Sequence, residues 1–134
     1  MLKQLPYIIS GLIIGIILFQ SSIVAPAINK LISPKEASIL LRHIWPIFFI
    51  IISILSLVTF LLFNNSQTRP ILKYFSMSSF LFMSFCYFII PMINEAKDFS
   101  NDQLWTSLHL TTIIMTLIVF IFNLFIIASL KYFN

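Results

Sequence analysis

Residues 44–63 read IWPIFFIIISILSLVTFLLF, without a charged side chain. A helix needs about 20 mainly apolar residues to cross the ~30 Å hydrocarbon core of a bilayer, and this stretch is that long. Outward from it lie three more stretches of the same kind, near Pro6–Ile28, Tyr74–Ile93 and Leu104–Leu130. The expectation is an all-α protein: one four-span transmembrane domain over residues 1–134, folded as a four-helix bundle. Composition agrees, since the chain is 60% hydrophobic and 9% charged, whereas soluble domains carry roughly 25% charged residues. A short chain has a large surface for its volume and cannot hide so much apolar surface from water.

The formal charge of +4 does not mark a nucleic-acid binder, because the basic residues are scattered along the edges of the apolar stretches. There they act as topology determinants. Four spans put both termini on one side with the loop Asn64–Lys73. That side carries Lys3, Arg69, Lys73 and Lys131 and no acid, while the other carries Lys30, Lys35, Arg42 and Lys97 with Glu36, Glu95, Asp98 and Asp102. The acid-free side is expected to face the cytoplasm, placing the chain in the inner (plasma) membrane. Lys3, the apolar run Ile8–Phe19 and Ala25-Pro-Ala27 also imitate a cleavable signal peptide. Gly11-x-x-x-Gly15, a helix-packing pattern, favours a retained first span.

The two connections on the opposite side echo one another. The first reads Pro26-Ala-Ile-Asn29, then Ser33-Pro-Lys-Glu36, then His43. The second reads Pro91-Met-Ile-Asn94, then Ser100-Asn-Asp-Gln103, then His109. Ser-x-x-Glu/Gln is the capping box that satisfies free N–H groups at a helix start, and Pro34 stands where proline is favoured. The second and fourth helices should therefore start near Pro34 and Asn101. Convergent cap chemistry explains the echo, and so does a duplicated helical hairpin.

Each span also carries small or polar residues at helical spacing. They are Gly11, Gly15, Ser22 and Asn29; Pro46, Ser53 and Ser56; Ser79, Met83, Cys86 and Asn94; and His109, Thr112, Thr116 and Asn123. These seams should face the bundle interior, where polar groups bond across helices. Gln20 points away from the glycine stripe, toward another neighbour or another protomer. Pro46 and Pro91 each remove a backbone hydrogen bond and can kink their helices.

Chemistry is sparse. No acid lies deep in a span, which counts against a proton-coupled transporter. The single cysteine, Cys86, offers no intrachain disulfide, and neither a phosphate loop nor a nucleophile motif is present. His43 and His109 remain, and imidazoles on two helices can ligate haem or a metal. Three functions follow: a non-enzymatic interaction or accessory role, a haem- or metal-binding redox protein using His109 and His43, or a small-solute or ion permease built as an oligomer. The expected partners are the lipid bilayer and a second copy or another membrane protein.

The segment Trp105-Thr-Ser-Leu-His109-Leu-Thr-Thr112-Ile-Ile-Met-Thr116 resembles the family named after human transmembrane protein 205, whose bacterial members carry a domain-of-unknown-function label. Gly11, Gln20, Pro26 and Pro91 also look similar, so the resemblance covers nearly the whole chain. Trp105, Thr112 and Thr116 stand where that family has Phe, Ser and Asn. The resemblance implies a four-helix membrane protein without an agreed biochemical activity. That family is distantly similar to copper-resistance-D and HemJ-type membrane proteins. Those haem-linked enzymes carry a first-span histidine, which this chain lacks.

Overall fold

The structure, a computed structural model, describes residues 3–65 and 69–132. Part of the expected loop Asn64–Lys73, residues 66–68, lies outside the described residues. Helix α1 (Leu5–Phe19) passes through a π-helical turn (Gln20–Val24) into α2 (Ala25–Leu31). Three long helices follow, α3 (Pro34–Asn64), α4 (Pro70–Asp98) and α5 (Asp102–Ser129), before a short 3-10 turn at Leu130–Tyr132. There is no strand among the described residues. Four helical segments are long and apolar enough to span a membrane, the first running from Leu5 to Leu31. The chain is thus a multi-pass membrane protein by length and composition.

The helices outrun the apolar stretches. At 1.5 Å per residue, the 31 residues of α3 extend about 46 Å, well beyond a ~30 Å hydrocarbon core. Ser33 caps α3: its Oγ accepts from the Glu36 N–H at 3.4 Å and donates to the Glu36 carboxylate at 2.6 Å. The second turn is built differently from its expected capping box. Ser100 takes a left-handed φ of 54° and closes α4, with its N–H on the Lys97 carbonyl and the Asn101 N–H on the Ala96 carbonyl. This is a Schellman ending. It takes Ser100 out of the cap, and the Asn101 side chain accepts from the Leu104 N–H at 3.1 Å instead. The two outer turns are therefore similar in sequence and different in backbone.

The first span packs on α3 and α5, and α4 packs on α3 and α5. This closes an antiparallel ring. Lipid tails are as apolar as leucine, so burial alone does not hold such a bundle together; close packing and interhelical contacts do. The central layer joins Ile13, Ile17, Phe49, Ile52, Met83 and Val119. A second layer toward the termini joins Tyr7, Phe63, Leu72 and Ile126, with the Tyr7 and Phe63 rings edge to face at 5.7 Å. Side chains such as Phe88, Ile54 and Phe125 stay exposed and form the lipid face.

Two interior details depart from the seam reading. The packing face of α1 runs through Tyr7, Ser10, Ile13 and Ile17 to Gln20, not along the glycines. A Cβ on Gly15 would meet nothing within 4 Å, and one on Gly11 only the Ile127 side chain at 3.6 Å. Gln20 is buried within its own chain. Most buried hydroxyls also turn back on their own helix. Thr59, Ser76, Ser79 and Thr112 all donate to a carbonyl three or four residues earlier. Ser53 and Ser84, 2.8 Å apart, do link α3 to α4.

Candidate functional site

Prolines prepare the outer half of the bundle, the half that holds the Ile32–Ser33 and Phe99–Asn101 turns. Pro46 and Pro91 lie inside α3 and α4. Lacking an N–H, they leave the carbonyls of Arg42 and Tyr87 without helical donors. The first span meets Pro26 differently. Its backbone widens to a π turn, with the Ala25 N–H reaching the Gln20 carbonyl. Pro26 then falls in the first turn of α2, where a missing N–H costs nothing. Beyond this shift α2 packs on α3 and lacks comparable packing against α5.

A cavity of about 620 Å³ lies between α2 and the outer parts of α3, α4 and α5. Its size falls in the range of small-molecule sites, about 300–1,000 Å³. Ser21, Ala25 and Asn29 line it from the first span, and Arg42, Trp45 and Phe49 from α3. Ile90, Asn94 and Lys97 come from α4, and Trp105, His109 and Thr112 from α5. Within each span the spacing is three or four residues, one helical face.

The aromatic wall is continuous. Trp105 and His109 stack with centroids 5.1 Å apart and planes 10° apart. The Trp45 ring stands edge-on to His109 at 6.4 Å and stacks on Phe49 at 5.6 Å. Lys97 Nζ lies 4.7 Å from the Trp105 centroid, a cation–π geometry. Arg42 grips Asp98 with both guanidinium nitrogens, Nη1 donating to Oδ2 at 3.1 Å and Nη2 to Oδ1. This pair ties α3 to α4 at the rim, where its side chains are 34% and 57% exposed. Exposed pairs contribute about 0–1 kcal/mol, so it orients Arg42 more than it stabilises the fold. Among the described residues, no Asp or Glu lines the cavity.

Three hydroxyls line the cavity, those of Ser21, Ser38 and Thr112, and the Thr112 hydroxyl donates to the His109 carbonyl at 2.7 Å. Among the described residues, no three His, Cys, Asp or Glu side chains group to hold a metal ion. The histidines are not brought together. His109 lines the cavity, whereas His43 is exposed and not among the lining residues. On α3 the cavity face is Ser38, Arg42, Trp45 and Phe49, and His43 falls off it. A haem held between His43 and His109 does not fit this geometry.

The other singled-out residues divide by depth. Thr112 is on the cavity wall and Thr116 half-buried one turn deeper. Asn123 is buried far from the cavity, with Nδ2 donating to the Val119 carbonyl at 2.8 Å. Pro26 and Pro91 adjoin the wall residues Ala25 and Ile90. Both asparagines of the Pro-x-Ile-Asn echo, Asn29 and Asn94, converge on the cavity. Sequence reasoning did not single out Trp45, Trp105 and Lys97 as wall residues. The available signal was that both tryptophans of the chain stand within a few residues of a span's outer end.

No curated protein and no solved structure matches the chain. Residues 8–131, from the first turn of α1 to the end of the bundle, match the family described as "Domain of unknown function (DUF4149)". By that match the chain belongs to the DUF4149 family.

Proposed function

We propose that this protein is a non-enzymatic inner-membrane protein, both termini cytoplasmic, which holds a small lipophilic ligand in its outer cavity and serves an accessory role. In this reading its relatives include the family of human transmembrane protein 205 and, more distantly, the copper-resistance-D and HemJ-type proteins. The cavity carries the proposal: polar at the rim, aromatic within, and without a nucleophile–base pair. A partner, whether a second copy or another membrane protein, would act on the loaded form. Native mass spectrometry of the full chain released from nanodiscs tests this. A bound small molecule is expected on the wild type and lost from Ala25→Trp, which fills the cavity from α2. Wild type and variant without any adduct would sink the reading.

His109 on the cavity wall favours one competing occupant, a haem ligated by that residue alone. Protein expressed with haem supplied would then show a Soret band that His109→Ala removes. A permease is less well supported, because the packed layers of Ile13, Ile52, Val119, Phe63 and Ile126 fill the bundle below the cavity.

A further inference from the structure

The cavity wall is chemically one-sided. Among the described residues its ionisable groups are Arg42, Lys97 and His109, with no carboxylate beside them on the wall. Arg42 is balanced by Asp98 at the rim. Lys97 has no acidic partner among the described residues; its ammonium rests against the Trp105 ring. The side chains of Asn29, Asn94 and His109 also lack hydrogen-bond partners among the described residues and line the same space. Unpaired cationic and amide donors at the edge of a low-dielectric cavity attract anionic oxygen, because charge-assisted hydrogen bonds are about twice as strong as neutral ones.

The opposite end of the cavity is apolar. Phe49 and Ile90 are buried at its floor. Between the first span and α5 the wall consists of Ser21 and Ala25 on one side and Ile113 on the other. Ile113 is 49% exposed and Ser21 is exposed, so this seam opens sideways where lipid chains lie. A polar rim above and a slit to lipid below describe an amphiphile bound head outward.

We infer that the cavity takes a single-chain amphiphile with an anionic oxygen head, a carboxylate or a phosphate, its head against Lys97, Asn94 and Asn29 and its chain leaving between the first span and α5. The volume of about 620 Å³ suits one head with a chain segment better than a two-chain lipid. The assignment rests on the cavity being a ligand site, as proposed above, and adds the ligand's charge and shape.

Trp45 and Trp105, the chain's two tryptophans, both line the cavity, so intrinsic fluorescence reports on this site. The full chain in phosphatidylcholine nanodiscs is titrated with bromine-tipped dodecanoate, dodecyl phosphate, dodecanol and dodecyltrimethylammonium. Both anions should quench saturably and bind at least about tenfold more tightly than dodecanol, the scale of one charge-assisted hydrogen bond. Lys97→Gln should erase that preference and leave dodecanol unchanged, while Lys97→Arg retains it; unchanged helicity and melting of both variants keep the comparison valid. Equal binding of dodecanol and the anions, or tightest binding of the ammonium, overturns the ligand class and leaves the cavity a site. A brominated two-chain phosphatidylglycerol that binds as tightly as the single-chain anions overturns the single-chain part. Absence of saturable quenching by every probe removes the ligand site itself.

Discussion

The same helices build two unlike halves. Toward the termini, Tyr7, Phe63, Leu72 and Ile126 close the bundle, and Phe75 stacks on Phe122 at 4.7 Å. Toward the two short turns, Pro26, Pro46 and Pro91 interrupt three of the spans, and a cavity opens beside the buried Ala37, Phe49 and Ile90. Here it coincides with lost backbone hydrogen bonds and a π turn. The difference separates filled space from open space along the bundle: the half toward the termini is packed shut, and the half toward the turns keeps the cavity on which the proposed ligand site rests.

The largest effect that could break this contrast is a truncation in each half. Phe63 is fully buried, so Phe63→Ala should cost about 3–5 kcal/mol through lost contacts and the void left behind. Trp45 is only half-buried on the cavity wall, and Trp45→Ala should cost less than about half as much, because one side of its ring already faces open space. Unfolding from mixed micelles in rising dodecyl sulfate measures both. Equal losses would mean that the outer half is as much a core as the inner one.

A smaller effect tests the prolines. Pro46→Ala supplies the N–H that the Arg42 carbonyl lacks, and should stabilise α3 by about 1 kcal/mol, the net worth of one hydrogen bond. Closing that hydrogen bond should also shift Trp45, the residue before the proline, and weaken ligand binding in the fluorescence titration. Stability and affinity would then move in opposite directions. A variant that loses both would show that neighbouring helices are packed around the proline ring and that the ring itself is structural.

How far the halves were legible in the sequence follows the same division. The four spans were legible because lipid imposes a simple demand, uninterrupted apolar length, and 44–63 meets it alone. Helix ends were less so. Hydropathy predicted a third span ending near Ile93, yet α4 continues to Asp98, since hydropathy marks where lipid stops and not where backbone hydrogen bonds stop. The α1 packing face was misread from Gly11 and Gly15, because small residues permit close approach but the neighbours decide which face is approached. The π turn at Gln20–Val24 left no periodic trace; it shifts register by one residue, and only Pro26 hints at the need. His109 and Thr112, three apart on one helix, both line the cavity. His43 and His109 differ in placement by one residue of phase: Arg42 lines the cavity with His109, and its neighbour His43 is turned about 100° away.

The outer turns sharpen the comparison at its finest scale. Ser33 caps α3 with an ordinary extended backbone, φ −59° and ψ 148°. Ser100 instead closes α4 at φ 54°, a region that costs an L-residue other than Asn or Asp roughly 1 kcal/mol and glycine almost nothing. Ser100→Gly relieves that strain while keeping the Schellman bonds to Lys97 and Ala96. Part of the gain returns as extra freedom of the unfolded chain, so the net stabilisation should be only about 0.5 kcal/mol, read in the same dodecyl sulfate titration. Ser33→Gly should show the opposite sign by a few tenths of a kcal/mol, since it removes a side-chain cap where no strain is relieved. Two glycines at two turns of similar sequence would then act oppositely. If both destabilised alike, the left-handed ending at Ser100 would be wrong, and the two hairpins would be closer copies than their backbones indicate.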